Sequence, residues 1–452
     1  MKFFELEEYF LQHLKPDSDN PANQLLGLEY ENFVLQPTNS EVSKYQPLPM
    51  EGQPGVYQIL SNIHDFGQQK GIQWTKHYEG KQLVSLSNDN KQSITIEPGG
   101  QIEFAGTPLA SLHAIEDELT LYLEQLFHAT EQCGSRVLPI GVMPLFPLHD
   151  IPLVDKQRYH IMFPHMKKVG THGQLMMKAT ASTQVSVDYF SKEDLEHKFV
   201  FFNRLSPFLT AIFANSPLFD GKKTNFLSFR ARIWQDTDPV RSGLPEAFLQ
   251  EKFQLDDYIQ WTLNASPYYL TRDDRIIPLT HISFKELMAG QNPEIEVTFD
   301  DWKQHLGMIF PDARIKNIIE MRVTDALLPS DSIAIPALLK ALVYYEEVFE
   351  KVYSLLMDLP LNDFAIYRAA AAKEGLHAHV NHVSFAKISR QIFELALNSL
   401  GSENETWLIP YFDKYTKNGQ TPADHILKDF DSKANGDIWK WADLYLAKST
   451  LI

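Results

Sequence analysis

Carboxylates carried on alternating apolar stretches are the side chains of this 452-residue sequence whose types and spacing point most directly to chemistry. In Ser93-Ile94-Thr95-Ile96-Glu97-Pro98-Gly99-Gly100-Gln101-Ile102-Glu103-Phe104, two short strands flank a Pro-Gly-Gly turn. Pro98 presets φ at the second turn position, and Gly99 is free to take the φ > 0 that follows. Glu97 enters the turn, while Gln101 and Glu103 point from one face of the returning strand. Upstream, Gly27-Leu28-Glu29-Tyr30-Glu31-Asn32-Phe33-Val34-Leu35 puts Glu29 and Glu31 on one face, roughly 6.5 Å apart along the strand. Acids facing a core are costly unless a cation meets them. Two such strands side by side could hold more than one divalent cation through oxygen, the hard donor set that suits Mg²⁺. For either pair taken alone, a solvated strand face is the plain alternative.

Basic residues suited to a complementary task follow downstream. Leu227-Ser228-Phe229-Arg230-Ala231-Arg232-Ile233-Trp234 alternates cleanly and predicts a strand with Arg230, Arg232 and Trp234 on one face. Guanidinium groups so placed suit bidentate capture of carboxylates or phosphates, with a pair of surface ion pairs as the other reading. Glu320 and Arg322 add an acid and a base within a short apolar strand over Ile318–Asp325. Gly221-Lys222-Lys223-Thr224 lacks the pattern of a phosphate loop, and neither a dinucleotide glycine fingerprint nor a nucleophile elbow nor a His-Glu-x-x-His helix occurs. Any nucleotide must therefore be held by acid-bound Mg²⁺ and arginine.

The elements that must position these groups read as strands first and helices later. A helix is expected over residues 3–14, another over Tyr57–Lys70, a strand region over Trp74–Leu86, and a helical stripe from Pro108 to Thr130. Met176–Tyr189 reads as a half-polar strand whose Thr180, Ser182, Gln184, Ser186 and Asp188 share a face that could line a site, with an exposed sheet face as the other reading. Ser191–Ala214 reads as a helix with a break between Asn203 and Pro207. From Ser332 the pattern becomes helical, over Ile335–Leu359, Phe364–Lys373, Phe385–Leu400 and Ile426–Leu446. His377, His379 and His382 fall in a loop there and read as surface residues.

A formal charge of −17 with no basic run argues against a nucleic-acid or anionic-membrane surface. Cys133 is the single cysteine, which excludes an intrachain disulfide and a cysteine-based metal centre in this sequence. The acidic N-terminus does not resemble a signal peptide, and no long apolar run occurs, so a soluble cytoplasmic protein is expected.

Taken in order, Gly27-x-Glu29-x-Glu31, Glu97-Pro98-Gly99-Gly100-Gln101-x-Glu103, Arg158-Tyr159-x-Ile161-Met162, Met176-Met177, Gln184-Val185-x-Val187-Asp188, Asn215-Ser216-Pro217, Ser228-x-Arg230-x-x-Ile233-Trp234-x-Asp236-Thr237-Asp238-Pro239-x-Arg241 and Glu320-Met321-Arg322 resemble the plant and proteobacterial class of glutamate–cysteine ligase. The resemblance runs over about residues 25 to 330, and the helical remainder shares only its general character.

The resemblance implies an α+β fold of the glutamine synthetase type, an antiparallel sheet curved around the site with helices outside. It implies one catalytic domain over 1–452, with a motif-bearing core at 25–330 and a helical portion at 331–452. It further implies ATP- and Mg²⁺-dependent ligation of the γ-carboxyl of L-glutamate to the amine of L-cysteine, the first step of glutathione synthesis. By position, Glu29, Glu31, Glu97, Glu103 and Glu320 would hold metal, and Arg158, Arg230, Arg232 and Trp234 would bind substrate. Arg158, Arg230 and Arg322 would serve catalysis, in a monomer or weak dimer that meets only small molecules. Thr180-Ala181-Ser182-Thr183-Gln184-Val185-Ser186 departs from the usual Thr-Cys-Thr-Val-Gln-Val-Asn, and Tyr30 stands where His is usual. These departures leave open a relative that joins glutamate to another amine. A catalytically silent glutamate- or nucleotide-binding protein is the alternative of a different class, and metal-dependent ATP turnover separates the two.

Overall fold

Leu26–Pro37 forms a 12-residue strand, β1, to which four other strands attach. The computed structural model describes residues 2–40, 43–273, 275–399 and 401–449. Its main sheet contains β1, β2 (Tyr45–Pro47), β3 (Thr75–Glu79), β4 (Gln82–Ser87), β5 (Ser93–Ile96), β6 (Ile102–Ala105), β7 (Arg136–Leu138), β8 (Thr183–Val187), β9 (Ala313–Ile315) and β10 (Ile319–Met321). The order is β9-β10-β8-β1-β6-β5-β4-β3, with β2 and β7 on the far half of β1, and every pairing within it is antiparallel.

The period of two sorts this sheet into two unlike faces. Leu28, Tyr30, Val185, Val187, Ile94, Ile96, Phe104, Ile319 and Met321 are buried on the apolar face. Helices cover it: Phe104 stacks on Tyr122 at 4.5 Å, and the Tyr30 hydroxyl donates to the Leu327 carbonyl at 2.6 Å. The other face carries the acids. The helices that matter below are α1 (Phe3–Leu11), α2 (Val56–Gln69), α3 (Leu112–Gln132), α4 (Gln157–Val169), α5 (Gly173–Ala179), α6 (Lys192–Ile212) and α7 (Phe229–Trp234). The main apolar core runs from Leu6 to Leu446, so the C-terminal helices share it with the sheet. Among the described residues, no helix is long and apolar enough to cross a membrane.

The expected α+β architecture and antiparallel sheet are present, but several elements differ from the sequence reading. Leu227–Trp234 is not a strand: Phe229–Trp234 is the helix α7, capped by the Ser228 hydroxyl. Six residues of polar–apolar alternation do not by themselves separate the two periods. Met176–Tyr189 divides into the end of α5 and the strand β8. α6 runs through the expected break. Pro207 deprives the Asn203 carbonyl of its helical donor, and the Ser206 hydroxyl supplies one at 3.0 Å.

The stretch Ile335–Leu359 is two helices, Ala334–Tyr344 and Glu346–Met357, parted where Tyr345 turns extended. Ile426–Leu446 is likewise two, Pro422–Ser432 and Ile438–Ser449, parted near Gly436 at φ +77°. Ser402–Lys414 is a helix that the sequence reading passed over. The helix expected to end at Leu400 ends at Leu397, and Leu400 itself lies outside the described residues.

Candidate active site

The β5–β6 hairpin forms as its alternation predicts, with the Gly100 N–H donating to the Glu97 carbonyl at 2.8 Å. The positive φ falls on Gly100, at +84°, and not on Gly99. Gly99 is required for a different reason: a Cβ there would lie 2.0 Å from the carbonyl oxygen of Lys178, at the end of α5. The turn that carries Glu97 thus rests directly on another backbone.

Register then gathers the acids. Glu31 of β1 stands opposite Glu103 of β6, Glu103 opposite Thr95, and Glu29 opposite Gln184 of β8. Directly opposed residues are about 5 Å apart on a shared face, close enough for carboxylates to repel. Glu31 accepts from the Ser182 N–H at 2.6 Å, and Glu103 accepts from the Thr95 hydroxyl at 2.8 Å. Glu320, one strand further, is engaged by Arg314 at 2.6 Å, Lys316 at 2.8 Å and Arg322 at 3.3 Å.

A cavity of about 240 Å³ opens over this face. Glu31 and Glu97 line it together with Arg158 from α4, Arg230 and Trp234 from α7, and Arg322 just past β10. Arg230 and Trp234 are four apart and so share a face of α7, with the guanidinium 5.9 Å from the indole centroid. Arg322 donates to Gln184 Oε1 at 2.7 Å, and Arg158 donates to the Tyr159 hydroxyl at 2.9 Å. Arg230 Nε and Trp234 Nε1 are buried donors without a partner in the protein. Buried donors of this kind are costly unless an acceptor reaches them, which a bound carboxylate would do.

Burial and the nearby Glu97 charge push the Glu31 carboxyl up to about 7, against the pull of Arg230. Burial and then the charges of Glu97, Glu29 and Glu31 raise Glu103 well above the ordinary carboxylate range. Glu29 is raised by burial and by Glu320. Burial also opposes charge on Glu320, yet Arg314, Lys316 and Arg322 hold it well below the usual range. Glu29, Glu31 and Glu103 thus resist ionising together, and their all-oxygen donor set fits a hard cation. Among the described residues, no three acid, histidine or cysteine side chains already stand gathered as a metal site.

Residues 25–443 match Glutamate-cysteine ligase family 2. The chain belongs to that family. It is 32% identical to the chloroplastic glutamate–cysteine ligase A of Oryza sativa subsp. indica over 434 residues, covering 95% of this chain and 85% of that protein. It is 31% identical to the chloroplastic glutamate–cysteine ligase of Arabidopsis thaliana over 413 residues, 90% of this chain and 76% of that protein. The crystal structure of a bifunctional glutathione synthetase from Pasteurella multocida superimposes on all of this chain with a TM-score of 0.50 and 11% identity, a likeness of fold alone. This chain spans about half the length of that one, at 53%.

Of the residues singled out in this family member from sequence, Glu31, Glu97, Arg158, Arg230, Trp234 and Arg322 meet at the cavity. Glu29 and Glu103 adjoin it on the same sheet face. Arg232 does not face it: on a helix it turns away from Arg230 and lies 3.9 Å from Asp236, a third of its side chain exposed. Glu320 is taken up by its three cations instead of standing free as an acid. His377 pairs with Asp424 at the surface, and the expected loop is instead a 3₁₀ turn over Gly375–His377 followed by a short strand at His379–Val380.

Thr180, Ser182 and Gln184, from the polar face that could line a site, do line the cavity, whereas the sequence reading assigned no site task to Gln101, Tyr269, Met308 or Phe310, which line it too. Gln101 ties the hairpin to α5 by accepting from the Gly99 N–H and donating to the Thr180 carbonyl at 2.7 Å. Its place two residues before Glu103 was the available signal. Tyr269 and Met308 sit in segments with no motif and reach the site only through the fold.

Proposed function

We propose that this chain joins the γ-carboxyl of L-glutamate to the amine of L-cysteine, using ATP and Mg²⁺, through a γ-glutamyl phosphate. The observation that carries the reading is the meeting at one cavity of the Glu31 and Glu97 acids with Arg158, Arg230 and Arg322, where Arg230 Nε and Trp234 Nε1 are buried donors without a partner in the protein. Family membership supports it.

Arg230 and Trp234 bind and orient a carboxylate of glutamate by charge-assisted hydrogen bonds. Arg158 and Arg322 stabilise negative charge as the γ-carboxylate oxygen attacks the terminal phosphorus of ATP and ADP departs. The cysteine amine then attacks the acyl carbon and phosphate leaves, a step helped mainly by holding both reactants at close range. Glu29, Glu31, Glu97 and Glu103 would hold Mg²⁺, which when bound neutralises the triphosphate. Glu320 contributes indirectly, by keeping Arg322 and Arg314 in place.

Incubating the protein with ATP, Mg²⁺, glutamate and a panel of amines, with products identified by mass, tests the proposal. γ-Glutamylcysteine with ADP and phosphate is expected. A γ-glutamyl product of another amine alone would move the chain to the relative left open by Ala181 and Ser186. Binding of glutamate or ATP with no turnover would make it a silent binding protein.

A further inference from the structure

Asp325 has no part in the sites described so far, yet it ties the start of α7 to the segment that holds Glu31. It is 1% exposed, and its carboxylate accepts three hydrogen bonds. The Asn215 N–H and the Ser216 hydroxyl reach Oδ2 at 2.8 and 2.7 Å, and the Ser228 hydroxyl reaches Oδ1 at 2.9 Å. Both hydroxyls also serve the first turn of α7. Ser216 Oγ accepts from the Arg230 N–H at 3.1 Å, and Ser228 Oγ accepts from the Ala231 N–H at 3.1 Å.

A hydroxyl has one proton to give. Committing it to Asp325 turns the serine lone pairs toward the helix N–H groups, so the carboxylate fixes the direction of both caps. α7 is six residues long, too short to persist on its own propensity, so its caps determine where Arg230 starts. On the other side, the backbone of Asp325 bridges to Ser182, whose N–H holds Glu31 at 2.6 Å. The room for this carboxylate is specific: a Cβ on Gly141 would lie 2.6 Å from Asp325 Cγ. Asp325 is also the leading countercharge that opposes the lowering of Arg230 by burial.

We propose that Asp325 is a positioning residue for the amino-acid substrate, acting through Ser216 and Ser228 to place Arg230 without touching substrate itself. This rests on the ligation proposed above. Asp325→Asn preserves shape and two acceptor contacts but sets an N–H against one hydroxyl, which can no longer donate there. The apparent KM for glutamate should rise by roughly 10-fold, the order of one charge-assisted hydrogen bond, while kcat and the KM for ATP stay within about twofold. In an Arg230→Ala background the same change should add almost nothing, because residues acting as a unit are not additive.

Equal losses in kcat and in both KM values, or full additivity on Arg230→Ala, would overturn the proposal in favour of a general part in the fold. Should Asp325→Asn fail to fold, Ser216→Ala and Ser228→Ala are read the same way: selective loss of glutamate affinity supports the proposal, and unchanged kinetics in both overturn it. Wild-type protein without glutamate-dependent phosphate release overturns the ligation reading and this one with it. Wild-type turnover with an unaffected Asp325→Asn variant overturns this one alone.

Discussion

Arg230 donates from Nη2 to the main-chain carbonyl of Arg322 at 2.9 Å while its Nε remains buried with no acceptor. One arm of the guanidinium is thus anchored by backbone, and the rest is free for a ligand. Arg230→Ala should weaken glutamate use by about 10- to 150-fold, the range of a charge-assisted bidentate pair worth roughly 1.5–3 kcal/mol. Arg230→Lys should recover only part of this, since a point charge on a flexible stem does not reproduce the planar fork. The apparent KM for ATP should barely move. Steady-state kinetics on both substrates check this, and a loss confined to ATP would assign the arginine to the triphosphate.

Glu97 lines the cavity at the tip of the hairpin, and its charge raises both Glu31 and Glu103. Glu97→Gln should remove most activity and weaken the dependence on Mg²⁺, because an amide is a poor ligand for a hard cation. It should also make the metal-free protein more stable above neutral pH, since one of three mutually repelling acids is gone. Mg²⁺ titrations of activity, with thermal melts in EDTA, report both effects. Near-normal turnover with unchanged Mg²⁺ dependence would remove Glu97 from the metal.

The pH dependence of stability follows from Glu31. Its folded carboxyl titrates at about 7 against an ordinary value of 4.5, so between those values the folded chain holds the proton more tightly than the unfolded one. Unfolding free energy from this group therefore falls as pH rises through that window and levels off above it. Metal-free protein should melt at lower temperature at pH 8 than at about pH 5.5 as far as this site contributes, and the gain in Tm from Mg²⁺ should grow over the same interval, since cation binding requires the deprotonated acid. Scanning calorimetry with and without Mg²⁺ tests it. A Mg²⁺ gain that shrinks with rising pH would contradict the assignment.

Gly99→Ala should be costly although Gly99 has no unusual φ. The new methyl carbon would meet the Lys178 carbonyl at 2.0 Å, and backbone on both sides cannot yield cheaply. We expect a loss of roughly 1–3 kcal/mol, the usual range for overpacking, together with a fall in kcat as the Glu97 turn is pushed from α5. Denaturant melts and kinetics on the same variant separate the two. A fully active variant of unchanged stability would mean that the hairpin does not depend on that contact.

The acids were legible because strand period alone decides which side chains share a face, and the Pro-Gly-Gly turn marked the hairpin that sets Glu103 opposite Thr95; that Glu103 also meets Glu31 comes from the distant pairing of β1 with β6. α7 was not legible, since Arg230, Arg232 and Trp234 satisfy alternation as well as a helix does; Ser228 before the run was the one cue to a cap. Glu320 was read as an acid on a short apolar strand and, by resemblance, as a holder of metal, but its surroundings were missed. Arg314 stands opposite it across β9 and β10, and Lys316 lies in the turn between them, a pairing that emerges only once register is known. Tyr269 and Met308 carried no local signal at all.

β1 is hydrogen-bonded along both edges, to β8 and β6 over its first half and to β7 and β2 over its second. Each of its amides points to one edge only, and the Glu31 N–H is held by the Ser182 carbonyl at 3.0 Å, just ahead of β8. Deuterium uptake at Glu31 therefore reports the parting of β1 from the cavity-lining segment that leads into β8, one edge of the sheet and not the whole chain.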